Sequence, residues 1–438
     1  FFMLLGILFA TFIFYFIKGK MTFVCEDLLL REVGKKYFNE FIIKDKEFEL
    51  VKSRYNDALK ELRAVQLKVK ELDKLNYEQF KQLYLDFYEA YLTFWDHGLV
   101  PEMANWGGEV ILKEKLSVPG KKFAYVYEKL SAPSGLSFYQ EEELELLKVR
   151  KGEVSLKEHQ QNYFWINNSY FESLVLDENY FKKRLEDMGD INVDEEITRI
   201  KEMPKKSQEL KNDIFKKFSL IEEIKKISER LSYCIYWQDD RKGDIFIANH
   251  YIWLLLQEIS KRYNVPTEHL EQYWCWEIPE LLEGKKVSNM KERLEKQAGY
   301  MAAKEGGNKV LTGKFFDEIV LPLVNRKVDT NVNSVKGIVV NVASGVIKGK
   351  ARVLFDPKDK IYEGEILIAP MTSPEYIIAL RKAAAVVTDT GGMTCHAAIV
   401  ARELGIPGIV GTKIATKVFK DGNLVEVNAN TGIVRKVK

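Results

Sequence analysis

Cysteine is scarce in this chain of 438 residues, with Cys25, Cys234, Cys275 and Cys395 the complete set. None stands in a Cys-x-x-Cys spacing, which argues against a thiolate zinc site. So few thiols in so long a chain fit a reducing compartment. A surplus of either charge is missing as well: 66 Lys and Arg face 64 Asp and Glu. That balance exerts no global pull toward nucleic acid or anionic membrane. The basic pairs Lys121-Lys122, Lys205-Lys206 and Lys285-Lys286 sit among acids and read as solvated helix faces. Proline is thin, at 11 residues, and its scarcity over the first 300 suits long helices. A GxxxxGK[ST] phosphate loop is absent, since neither Gly306-Gly307 nor Gly313-Lys314 completes one. There is no internal repeat and no low-complexity segment.

What is present is enough apolar material, 46% of residues, for a sizeable core, and a length that suits two or three domains. Residues 1–17 are strongly apolar and uncharged, and Lys18 and Lys20 follow. A membrane-spanning helix needs roughly 17–25 such residues. One reading is therefore an anchor through residues 1–17, with the basic flank keeping the remainder cytoplasmic. The other is that residues 1–20 are an upstream translation artefact or the buried end of a truncated domain, since Met21 opens the polar sequence.

Residues 21–304 read as helical. Phe48, Val51, Tyr55, Leu59, Leu62, Val65 and Val69 recur at helical spacing, which predicts a long amphipathic helix. A very aromatic face follows at residues 80–95 (Phe80, Tyr84, Phe87, Tyr88, Tyr91, Phe94, Trp95) and reads as core rather than ligand pocket. Further helices are expected near 140–150, 157–190, 194–230 and 240–263. The composition changes near 305, and residues 305–334 read as a short hairpin or loop, a helix and a polar linker. From 335 to 438 strand patterns interleave with helices near 374–382 and 395–404, as in a compact mixed domain. The fold class expected is multidomain, α plus α/β.

One stretch carries chemistry. Asp389-Thr-Gly-Gly-Met-Thr394 joins a buried strand to a helix. Gly391 and Gly392 allow unusual backbone conformations and close approach of a ligand. Thr394 is placed to cap the helix. His396 then falls in the first turn, where free N–H groups and the positive helix end favour a phosphoryl group on or near the imidazole. A neutral imidazole is a competent nucleophile at physiological pH. Phosphoryl transfer needs mainly positioning and charge stabilisation. Ile399 and Val400 share the face of His396, whereas Arg402, six residues on, points elsewhere. Arg402 is a candidate anion ligand, with pairing to a nearby carboxylate its plainer role.

The run from Thr388 to Gly411, TDTGGMTCHAAIVARELGIPGIVG, resembles the phosphohistidine signature of the PEP-utilising enzymes, and its Thr-Cys-His order is most similar to the phosphoenolpyruvate synthase branch. Lys336 to Val353, Pro370-Met-Thr-Ser-Pro374 and Asp421 to Gly432 resemble the flanking segments of that domain. The resemblance covers about residues 335–438. It implies a swivelling β/β/α domain with His396 as phosphate carrier, supported by Gly391, Gly392 and Thr394. It also implies regulatory phosphorylation of Thr394, beside the plain capping role. More faintly, residues 236–242 and 273–282 resemble the helical middle of rifampin-phosphotransferase-type proteins. Arg241 and Lys242 there are candidate anion ligands. The simpler reading makes them an exposed ion-pair cluster with Asp239 and Asp240. His97, His159, His250 and His269 lack partner spacing and read as structural or surface residues.

The resemblance further implies ATP and Mg2+, bound by an ATP-grasp domain that is not recognisable in this sequence, so a separate subunit or a missing part would charge His396. A phosphoenolpyruvate-binding (β/α)8 barrel of about 250 residues also has no room. The expected acceptor is pyruvate, or a bulky hydroxyl compound if the rifampin-type likeness governs. Alternative readings are a carrier charged by phosphoenolpyruvate, like enzyme I, and a non-catalytic scaffold or regulatory module that keeps the fold.

Overall fold

The computed structural model describes residues 12–17, 20–24, 27–118, 122–170, 173–301, 308–324, 331–343, 345–357, 359–372, 376–392 and 395–437. They form two compact units: residues 1–112, 133–209 and 225–325 in the first, and residues 113–132, 210–224 and 326–438 in the second. A large helical region precedes a mixed β-sheet domain.

The helical region follows its apolar periodicity. Asp45–Val69 buries Phe48, Val51, Tyr55, Ala58, Leu62 and Val69, and packs on the next helix, Tyr77–Gly98. That second helix begins with a capping box. Asn76 Oδ1 accepts from the Gln79 backbone N–H, and the Gln79 side chain accepts from the N–H of Asn76. Its aromatic stripe is core, with Phe80, Tyr84, Phe87 and Phe94 all buried. Helices expected near 194–230 and 240–263 are instead Val193–Lys217 and Glu222–Tyr263. The break comes at Ser219, which takes φ 49°. The N–H of Leu220 reaches Phe215 O and that of Ser219 reaches Lys216 O, at 3.0 and 3.2 Å. This is the Schellman pattern, made here without the glycine that normally signals it.

The apolar N-terminal segment is not a membrane helix. Phe12–Ile17 is a strand (β1), paired antiparallel with Lys20–Val24 (β2) and with Lys296–Met301 (β3), which in turn pairs with Asn308–Thr312 (β4). Residues 1–11 lie outside the described residues. Among the described residues no helix is long and apolar enough to cross a membrane. Two aromatic side chains of β1 pack on neighbours: Tyr15 meets Phe316 edge-on, and Phe16 meets Trp274. On β3, a Cβ at Gly299 would sit 2.5 Å from the Trp274 ring, so only glycine lets the strand pass beneath it.

In the second unit eight strands form one sheet. They are β5 (Ser334–Lys336), β6 (Ile338–Asn341), β7 (Val346–Val353), β8 (Ile366–Ala369), β9 (Ala385–Thr388), β10 (Gly408–Val410), β11 (Leu424–Asn428) and β12 (Ile433–Lys436). Their order is β5-β12-β11-β7-β8-β9-β10-β6. Neighbours from β7 to β10 run parallel, and the remaining pairs are antiparallel. The middle strands β8 and β9 are buried at every position, which explains their unbroken apolar runs. Ile366, Ile368, Val387, Ile409, Val425 and Phe419 build the core between sheet and cover.

Candidate functional site

Parallel strands connected by helices expose a crevice at their carboxyl ends, where ligands tend to bind. The segments leaving β8 and β9 meet at this edge. The N–H and hydroxyl of Thr390 both donate to Pro370 O, at 2.9 and 3.0 Å, and zip the two segments together. Asp389 is buried and anchors the loop after β10. Its carboxylate accepts from the Thr416 N–H at 3.1 Å and from the hydroxyls of Thr412 and Thr416. The hydroxyl of Thr388 donates to Thr390 O at 2.6 Å. Every polar group named here holds backbone in place, so the loop has a defined shape.

Gly391 takes φ 114°, a conformation that side chains resist. A Cβ there would also lie 2.7 Å from Cys395 Sγ. Gly392 is half-buried, and its carbonyl accepts from the Cys395 N–H at 3.2 Å. Thr394 lies outside the described residues. The helix it was expected to cap is His396–Glu403, with Cys395 at the N-cap position and no side-chain cap bond. His396 is thus the first helical residue, in a turn where the Ala398 N–H donates to Cys395 O at 2.9 Å. Its ring is half-buried, and Nδ1 lies 3.0 Å from Thr372 Oγ1. Thr372 is itself buried.

Thr372 is the residue sequence reasoning missed. It stands inside the Pro370–Pro374 stretch noted as family-like, but 24 positions from His396 no spacing rule joins the two. Only the adjacency of β8 and β9 does. Arg402 falls in the last turn of the same helix, with its Nε 3.9 Å from Glu128 Oε1, and Cys395 at the helix start is among the groups that act on its charge. Burial lowers its pKa from the usual guanidinium value, and Glu128 works in the opposite direction.

Arg241 and Lys242 belong to the first unit and His396 to the second. The exposed cluster expected for Arg241 with Asp239 and Asp240 is not formed. Arg241 is fully buried, donating from Nη1 to Gly98 O at 2.5 Å and from Nη2 to Glu102 Oε1 at 3.0 Å, with its guanidinium over the Trp95 ring. Consecutive helical residues point about 100° apart, so neighbours in sequence cannot share one face. Asp239 accepts instead from the Phe138 N–H, and Lys242 is half-buried nearby. Asp244 pairs with Arg63 at 2.8 Å and accepts from the Tyr55 hydroxyl at 3.1 Å. His159 is buried, the structural alternative, with Nε2 and Nδ1 facing Glu142 and Glu145 at 3.1 and 3.3 Å. Those carboxylates come from another helix, which is why no spacing announced them.

The sheet, the zipped loops and the half-buried histidine at a helix start define a class, and similarity to known proteins agrees with it. Residues 361–432 match the family described as PEP-utilising enzyme, mobile domain. Over this stretch the chain carries such a domain, and the identification is confined to it. More particularly, the domain is similar to a probable phosphoenolpyruvate synthase of Archaeoglobus fulgidus, 54% identical over 97 residues. It is also similar to phosphoenolpyruvate synthase of Pyrococcus furiosus, 50% identical over 99 residues. Each match takes in 22% of this chain, and 13% and 12% of those relatives' lengths. Among solved structures, enzyme I in solution is 19% identical over 43% of this chain and 52% of that one, with a TM-score of 0.18. Aconitase X of Thermococcus kodakaraensis is 20% identical over 24% of this chain and 100% of that one, with a TM-score of 0.20.

Proposed function

We propose that His396 is a phosphate carrier in a phosphotransferase resembling phosphoenolpyruvate synthase. The observation that carries this reading is the 3.0 Å contact between His396 Nδ1 and the buried Thr372 hydroxyl. In the tautomer whose Nδ1–H donates to Thr372 Oγ1, the Nε2 lone pair is the nucleophile. Nε2 attacks the donor phosphorus, the leaving oxygen departs with its bonding pair, and the imidazole keeps the Nδ1 proton. The positive charge this leaves on the ring offsets the phosphoryl oxygens, which the positive end of the helix also favours. Release to an acceptor is the reverse displacement, with the acceptor oxygen as nucleophile.

In this reading the donor is ATP with Mg2+, presented by an ATP-grasp domain, and the acceptor is pyruvate or another small hydroxyl- or enolate-bearing compound. Gly391 and Gly392 shape the loop, and Thr394 is the neighbouring candidate for regulation. Arg241 is left out of the phosphate site, because its partners are Glu102 and Gly98 O. The test is incubation with γ- and β-labelled ATP, Mg2+ and an ATP-grasp partner. Acid-labile, base-stable label on the chain that disappears in His396→Ala is the expected result. Label from phosphoenolpyruvate but not ATP would favour the enzyme I-like alternative, and absence of label from both would favour the scaffold.

A further inference from the structure

Within the second unit, the helix that begins at His396 ends against a part of the chain far from the mobile-domain stretch. The short helix Phe123–Leu130 lies on β6 and buries Val126, Tyr127 and Leu130. Asn341, at the end of β6, donates from Nδ2 to Ala401 O and Ile406 O, both at 2.9 Å. β6, the helix His396–Glu403 and the helix Phe123–Leu130 therefore form one continuous patch. Arg402 and the buried Glu128 face each other across it at 3.9 Å. At that length the pair is coulombic rather than hydrogen-bonded. The segment 113–132 is also moored to residues 210–224 of the same unit, which continue into the helices Val193–Lys217 and Glu222–Tyr263: Lys211 Nζ donates to Ala132 O at 2.6 Å, and Lys115 pairs with Glu223 at 2.7 Å. Glu128 also accepts from Lys129 Nζ at 2.9 Å.

We propose that Glu128 and Arg402 form a latch that parks the His396 helix against the segment 113–132, and that opening it frees the phosphohistidine fold to travel. The proposal rests on the carrier reading, since only a carrier needs to travel. Breaking a buried pair is costly when it strands a charge. Here it need not: the Glu128 carboxylate keeps Lys129, and Arg402, near the helix end, gains water as the two surfaces part. The length of the pair and this second cation make the contact one that can open and close rather than a permanent staple.

Hydrogen exchange of the full-length chain, followed peptide by peptide, tests it without any phosphoryl donor. Glu128→Gln should speed exchange in 122–132 and 396–404 by about tenfold or more, leaving strands 366–369 and 385–388 unchanged. Arg402→Met should do the same, whereas Arg402→Lys, which keeps the charge, should behave like the parent. No change in either charge-removing variant overturns the proposal. So does a uniform rise that includes the strands, because the pair would then merely stabilise the unit. If Glu128→Gln does not fold, the comparison of Arg402→Met with Arg402→Lys decides. A chain whose latch opens selectively but whose His396 takes no label refutes the carrier reading and leaves the contact as described.

Discussion

At the scale of single residues, the site depends on pairs the backbone brings together. Thr372 is the clearest. Removing its hydroxyl takes away the hydrogen-bond partner 3.0 Å from His396 Nδ1. A hydrogen bond to a group that becomes charged is worth roughly 1.5–3 kcal/mol. Thr372→Val should therefore slow phosphoryl labelling of His396 by about 10- to 100-fold, and Thr372→Ser should restore most of it. A rapid-quench time course of acid-labile label reads this, and equal rates in Thr372→Val and the parent would remove Thr372 from the mechanism. Gly391 is legible in the sequence as a glycine and in the structure as a need, since its positive φ and its proximity to Cys395 each bar a side chain.

Asp240 gives a second test at this scale, in the helical unit. The packing around its carboxyl, together with the charges of Asp244 and Glu141, pushes its pKa up to about 6, with Arg63 opposing. An unfolded Asp titrates near about 3.9, so between those values the native chain holds more protons than the unfolded one. Stability from this group is then greatest at low pH and falls as pH rises from about 4 to about 6. Denaturant midpoints across that window should show the decline, and Asp240→Asn should flatten it and leave the chain more stable than the parent at pH 7. A decline that persists in Asp240→Asn would assign it to another group.

At the scale of elements, amphipathic spacing was a sound guide wherever one helix met one core. The stripe at Phe80, Tyr84, Phe87 and Phe94 and the unbroken apolar runs of β8 and β9 are where the pattern places them. It was a poor guide to where helices stop. Ser219 ends a helix in a left-handed conformation with no glycine or proline to mark it. Because Ser219 is exposed and glycine adopts that conformation freely, Ser219→Gly should stabilise the chain by about 1 kcal/mol in thermal or urea unfolding. A loss of stability would mean that the serine side chain contributes something the backbone bonds do not. The apolar N-terminal run misled for a related reason. Phe12–Ile17 has the composition of a membrane segment, but its six residues form a strand paired with β2 and β3, and Tyr15 and Phe16 pack on Phe316 and Trp274.

At the scale of the whole molecule, the chain passes back and forth between its two units, and the second unit draws residues 113–132 and 210–224 into the company of 326–438. Composition changes only near residue 305, so nothing local announces those two pieces. Residues 331–438 expressed alone would leave β6 without the helix Phe123–Leu130 that lies on it. They should melt several degrees below the same residues in the full chain, one kcal/mol shifting a domain of this size by roughly 4–8 °C. Identical melting would show that the segment 113–132 adds nothing to the fold.

The sequence by itself determined the identity of the C-terminal domain, the strand-to-helix loop at Asp389–Thr394 and the histidine that follows it. These are contiguous, and contiguous residues share backbone geometry that composition and order can specify. The tertiary structure alone decided which hydroxyl faces His396, which carboxylate faces Arg402, that Arg241 lies buried against Glu102, and that Phe12–Ile17, at the end of the apolar run, is a strand. Each of those outcomes depends on residues tens or hundreds of positions apart meeting across a sheet edge or a helix face, and no one-dimensional spacing encodes that meeting.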